Sequence, residues 1–125
     1  MIILTVKSFL GSFLHALAGI LHVIKTQRNM KVHMAAALLV VTVGLFLRLS
    51  SLDWLAISFA VFFVLVAEVI NTAIEAAIDL CSPKQHPLAK AAKDCAAGAV
   101  LLAAINSIIV AYLVLWPKIV KELIK

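Results

Sequence analysis

Glu68, Asn71, Glu75 and Asp79 carry the side chains most able to do chemistry, and they stand at positions i, i+3, i+7 and i+11. A carboxylate can take a proton from a hydroxyl, and paired carboxylates can hold a hard cation against phosphate oxygens. At about 100° per residue the four fall at roughly 0°, −60°, −20° and +20°, within an arc of about 80°. They thus form one acidic stripe on one helix. The run that holds them, Trp54 to Cys81, is otherwise almost wholly apolar. Ionisable groups at membrane depth are costly and usually face a bundle interior or a wet cavity, so the stripe marks function. A structural ion pair or a proton path is the plainer alternative.

Composition fixes the setting for that helix. Of 125 residues 65% are hydrophobic and 14% charged, against about 45–50% and about 25% in soluble domains. The chain is an integral membrane protein with room for a single domain, residues 1–125. Cys81 and Cys95 make no CxxC and read as isolated thiols, and the four histidines show no metal-ligand spacing. Nucleic acid is not an expected partner.

The expected architecture is all-α: an N-terminal interfacial amphipathic helix followed by three transmembrane helices. Over residues 5–25, Ser8, Gly11, Ser12, His15, Gly19 and His22 share one face, and leucines and phenylalanines cover the rest. Such a helix suits the plane of the membrane interface, although its length could also span. Lys25-Thr-Gln-Arg28-Asn-Met-Lys31 is a basic break. Transmembrane spans are expected at 32–49, 54–81 and 95–116, with Ser50-Ser-Leu-Asp53 as a tight turn. Ser82-Pro83-Lys84-Gln85-His86-Pro87 breaks the chain again, and Pro117 ends the last span.

Lys and Arg placement orients the bundle. Seven basic residues, Lys7 to Lys31 and Lys84 to Lys93, lie on one side, against Arg48, Lys118, Lys121 and Lys125 on the other. The 81–94 loop is therefore cytoplasmic, and Trp54 and Trp116 fall together at the outer interface. From Trp54, Glu68 lies about 21 Å along the helix and Glu75 about 31 Å, in a hydrocarbon core about 30 Å thick. Glu68 then sits at the depth of a lipid's polar head, while Glu75 and Asp79 reach cytoplasmic water. Lys93 and Asp94 add a phosphate-pairing cation and an acceptor. Alone, that pair reads equally as a snorkelling lysine and an acid complementing a helix N-terminus.

The wording Glu68-x-x-Asn71-Thr-Ala-Ile-Glu75-x-x-Ile-Asp79, followed by His86-Pro-Leu-Ala-Lys-Ala-Ala-Lys93-Asp94, resembles the bacterial integral-membrane diacylglycerol kinase family. The second motif is similar to the Gram-positive branch, which mainly phosphorylates undecaprenol. The resemblance covers nearly the whole chain. It implies a homotrimer in the bacterial cell membrane, with shared active sites on the cytoplasmic side, ATP as co-substrate and Mg²⁺ as cofactor. By matching residue it implies Glu68 as general base, Asn71 as the orienting group and Glu75 as metal ligand. Asp79, Lys84, Gln85, His86, Lys93 and Asp94 would line the nucleotide site. At Gln27 the family usually carries a Glu that shares the metal. Gln keeps one carbonyl oxygen but loses the charge, so weaker metal neutralisation is expected. Ser12 and His15 match the family only weakly.

The expected function is ATP-dependent phosphorylation of a membrane lipid alcohol, undecaprenol first. The alternatives are a diacylglycerol kinase making phosphatidic acid, a non-enzymatic membrane subunit, or a small ion carrier using Glu68 and Glu75 as a relay.

Overall fold

The computed structural model describes residues 2–82 and 86–124, and these form four helices. They are α1 (Ile2–Thr26), α2 (Arg28–Phe46), α3 (Ser51–Cys81) and α4 (Pro87–Leu123). All four are long and apolar enough to cross a membrane, α1 through its segment Phe9–Thr26. Large apolar side chains such as Phe9, Phe46, Phe59, Leu80 and Leu102 stand exposed on every helix. A bilayer, in which such side chains meet lipid tails, is the solvent that suits this surface.

The helices differ from the expected spans at their ends. The basic break over residues 25–31 contracts to Gln27 alone, which is extended at φ −93°, ψ 122°. Lys25 completes α1, while Arg28 to Lys31 open α2. Burial explains how so polar a stretch stays ordered, because Val23 and Met30 on either side are 4% and 2% exposed. Pro87 opens α4 rather than extending a break, since the first helical position needs no N–H donor. Pro117 does not end the last helix: α4 runs through it to Leu123. Lys118 is tied to Asp53 of α3 at 2.9 Å, a tether for this extension.

The α2–α3 connection follows from its local chemistry. Arg48 takes positive φ (48°) after α2. The Arg48 N–H donates to the Leu45 carbonyl and the Leu49 N–H to Gly44, the paired bonds of a Schellman ending. The next residue, Ser50, caps α3 in a reciprocal box. Its hydroxyl accepts from the Asp53 N–H, and the Asp53 carboxylate accepts from the Ser50 N–H at 2.9 Å. The expected turn over residues 50–53 is thus mostly the first turn of α3.

The tightest packing is between antiparallel α3 and α4. Ile57, Ala60 and Val64 face Ala96, Val100 and Ala103, all buried. Small residues let the two backbones approach, as helix pairs in lipid require. The Ser107 hydroxyl donates to the Ala60 carbonyl across the seam at 2.9 Å. Directly along this ridge toward the α3 C-terminus come Glu68, Asn71 and Thr72, also buried.

Gly44 is the position where close approach leaves least room. A Cβ there would lie 2.8 Å from Leu49 Cδ1 and 3.0 Å from Trp54 Cη2. Gly44→Val is expected to destabilise the α2–α3 corner by about 1–3 kcal/mol, the usual range for overpacking. Thermal unfolding in detergent checks this, with Gly11→Ala, which meets nothing within 4 Å, as the comparison. An unfolding midpoint for Gly44→Val matching that of the unsubstituted protein would show that the corner can repack.

Candidate active site

Between α2, α3 and α4 lies a cavity of about 430 Å³. From α3 come Glu68, Asn71 and Glu75. From α2 come Arg28, Asn29, Val32 and His33, and from α4 Ala97, Val100, Leu101 and Ala104. Its two sides differ in kind. The α4 wall is hydrocarbon, whereas α2 and α3 contribute two carboxylates, two carboxamides, a guanidinium and an imidazole.

Glu68 is the most completely enclosed of these groups, at 1% exposure. Its backbone carbonyl accepts from the Thr72 hydroxyl at 2.9 Å, a bond that fixes the local turn without occupying the carboxylate. Glu68 Oε2 and Asn71 Oδ1 are buried without a hydrogen-bond partner. Native proteins leave few buried polar atoms unsatisfied, and those that remain point to strain, catalysis or a missing guest. The other end of the Asn71 amide is engaged: Nδ2 donates to Glu75 Oε1 at 3.3 Å. Asn71 is thereby oriented with its oxygen turned from Glu75 and still open. A site with two free acceptors can take a proton donor such as a lipid hydroxyl, or a hard cation.

The acidic stripe read from the sequence divides in two. Asp79 does not line the cavity; its carboxylate pairs with Lys93 across the α3–α4 junction at 2.5 Å. Lys93 therefore does not snorkel, and Asp94, two turns into α4, pairs with Lys90 at 2.6 Å instead of complementing the helix start. His86 caps α4, its Nδ1 accepting from the Leu88 N–H at 3.2 Å. Lys84 and Gln85 lie outside the described residues. Gln27 is half-buried at the α2 N-cap and makes no side-chain cap bond; its neighbours Arg28 and Asn29, not Gln27, line the cavity.

Arg28, Asn29 and His33 were not singled out from sequence. The signal was available: 29 and 33, like 71 and 75, are four apart and share a helix face. The short basic stretch obscured it, because it read as a loop.

Comparisons with known proteins bear on this site. The sequence model of a family described as prokaryotic diacylglycerol kinase matches residues 14–115. The undecaprenol kinase of Bacillus subtilis is 44% identical over 111 residues, 89% of this chain and 90% of that protein. A diacylglycerol kinase of Synechocystis is 38% identical over 118 residues, 94% of this chain and 67% of that protein. The diacylglycerol kinase of Escherichia coli K12 is 33% identical over 81 residues, 65% of this chain and 66% of that protein.

The Asp79–Lys93 pair is partly exposed, with side chains 66% and 37% accessible. Pairs of this kind contribute about 0–1 kcal/mol. Asp79→Asn is therefore expected to leave the detergent unfolding midpoint nearly unchanged. A large drop in that midpoint would make the pair a principal tie between α3 and α4.

Proposed function

As the chain belongs to the prokaryotic diacylglycerol kinase family and is an integral-membrane lipid kinase, we propose that it transfers the γ-phosphoryl group of ATP to undecaprenol. The reaction is set at the cytoplasmic side of the bacterial membrane, in a homotrimer, with α1 lying along the interface. The observation that carries this reading is the buried, unpartnered Oε2 of Glu68 in a cavity that also holds Asn71 and Glu75.

Glu68 is the base that receives the proton of the lipid hydroxyl. Its enclosure keeps bulk water from competing for that acceptor. Asn71, anchored through Nδ2 to Glu75, directs its free carbonyl oxygen into the same space and orients the reacting groups. Phosphoryl transfer asks mainly for positioning and charge neutralisation, so the lack of a Gly-rich phosphate loop is no obstacle.

The donor set fits Mg²⁺. This cation takes oxygen ligands and binds through one or two carboxylates together with substrate phosphates and waters. Glu75 gives up only one oxygen, to a single amide N–H, and Asn71 Oδ1 is a second hard donor. When bound, the ion neutralises phosphate charge. Among the described residues no three His, Cys, Asp or Glu side chains cluster tightly enough to cage a metal, which suits a site completed by nucleotide and a neighbouring subunit. Asp79, Lys93 and Asp94 serve the nucleotide in this reading, as do Lys84, Gln85 and His86.

The α4 wall favours undecaprenol over diacylglycerol. Ala97, Val100, Leu101 and Ala104 offer no side-chain hydrogen bond, so ester carbonyls placed against them would lose their hydration without replacement. A branched hydrocarbon with one hydroxyl loses nothing there. The 44% identity to a protein named undecaprenol kinase supports the same choice. Relatives named diacylglycerol kinase make that lipid the second reading. A side-by-side assay of purified protein with ATP and each lipid decides. Undecaprenol is expected to have the higher kcat/KM by about ten-fold, a difference of about 1.4 kcal/mol. A preference for diacylglycerol overturns the substrate, and no phosphorylation of either overturns the reaction.

Glu68→Gln should retain the fold and nucleotide binding while lowering turnover by about 10²–10⁴-fold, as loss of a general base does. Near-normal turnover would remove Glu68 from the proton transfer. Glu75→Ala should weaken nucleotide binding only when Mg²⁺ is present, because its carboxylate serves the cation. Titration of nucleotide with and without Mg²⁺ checks this, and equal losses in both would assign Glu75 a structural role.

A further inference from the structure

Among the described residues, Arg28 is the one Lys or Arg side chain in the cavity wall. Among the described residues it makes no ion pair and no side-chain hydrogen bond, although Glu68 and Glu75 line the same cavity. The lysines at the start of α4 behave otherwise: Lys90 and Lys93 are each matched to a carboxylate. With Lys93 held by Asp79, Arg28 brings an uncommitted guanidinium to the wall of the cavity that holds the buried acceptors.

The local backbone adds charge of the same sign. Arg28 is the first residue of α2, whose opening turn has no acidic side chain, and the Gln27 side chain does not cap it. The first amide N–H groups of a helix have no intrahelical partner and form an anion-favouring end. This end gives onto the cavity where Glu68 Oε2 and Asn71 Oδ1 are buried and unpartnered. One space thus has a proton acceptor on α3 and, in the part of its wall that α2 supplies, a guanidinium on a positive helix end. An alcohol and a phosphate can meet between them.

We infer that Arg28 is a phosphate-binding residue, whose guanidinium holds oxygens of the nucleotide's terminal phosphate on the side of the cavity opposite Glu68. This inference rests on the kinase reading above. In the reaction the lipid oxygen forms a bond to the γ-phosphorus and the bond from that phosphorus to the β,γ-bridging oxygen breaks. The electron pair leaves with ADP, and the hydroxyl proton goes to Glu68. Charge on the transferred group is spread over its three peripheral oxygens. A planar guanidinium can bond two of these at once, which a lysine ammonium cannot match in geometry.

The test uses the full chain in lipid nanodiscs with inorganic tripolyphosphate as probe, alongside lipid phosphorylation from ATP. Arg28→Gln is expected to weaken tripolyphosphate binding by about ten-fold or more. It should also lower kcat by about 10²–10³-fold, the loss seen when one donor to a developing oxyanion is removed, with the lipid KM within about two-fold. Arg28→Lys should keep most of the binding and lose about ten-fold in kcat, since it retains charge but not the fork. If Arg28→Gln does not yield folded protein, Arg28→Lys carries the test, and wild-type kcat in that variant overturns the inference. Unchanged binding and kcat in a folded Arg28→Gln variant overturn it directly, as does failure of the unsubstituted protein to bind tripolyphosphate. Arg28-dependent tripolyphosphate binding without lipid phosphorylation would overturn the kinase reading and leave the phosphate site standing.

Discussion

A carboxylate 1% exposed inside a membrane helix is the constraint on which the rest of this molecule depends. Burying an ionisable group in a hydrocarbon setting is costly unless something meets it. Glu68 is met on one side only: its backbone is fixed by Thr72, while Oε2 has no partner. The burial of Glu68 and its open acceptor go together, because Glu68 continues the packed α3 ridge of Ile57, Ala60 and Val64 and also lines the cavity. Small residues on the seam, Ala60, Ala96 and Ala103, allow the close contact. The bulkier pair Val100 and Leu101, with Ala97 and Ala104, lines the opening.

The two poles of the site are separated along α3 and supported differently. In the cavity, Asn71 links Glu68's neighbourhood to Glu75 through a single hydrogen bond, so the Asn71 amide and the Glu75 carboxylate are held as a unit. Toward the α3 C-terminus, partly exposed acid–base pairs join α3 to α4 and α4 to itself. At the other end of the bundle the Ser50–Asp53 capping box and the Lys118 tether hold the helices in register, far from the chemistry.

Much of this was legible in the sequence, for physical reasons particular to each residue. The stripe of Glu68, Asn71 and Glu75 could be placed on one face because helical periodicity leaves no other choice in so apolar a run. The helix count followed from hydropathy. What escaped was set by tertiary contact. The Asp79–Lys93 pair across α3 and α4 has no sequence signature, because the two residues are 14 apart. Residues 28–31 look like a loop by polarity, yet burial of Val23 and Met30 lets α2 begin at Arg28 and brings Arg28, Asn29 and His33 to the cavity. Pro117 carries a strong breaker signal, but a single missing donor does not stop a helix that is otherwise supported. Proline's cost is local, and the sequence alone does not reveal the support.

In the proposed reaction the unpartnered Oε2 of Glu68 accepts the hydroxyl of the lipid substrate. An experimental structure of the protein with undecaprenol and a non-hydrolysable ATP analogue tests it most directly. The account predicts the lipid hydroxyl oxygen about 2.6–3.2 Å from Glu68 Oε2, within reach for proton transfer, and the terminal phosphate on its far side. A lipid hydroxyl bound elsewhere, with Glu68 contacting only protein, would contradict it.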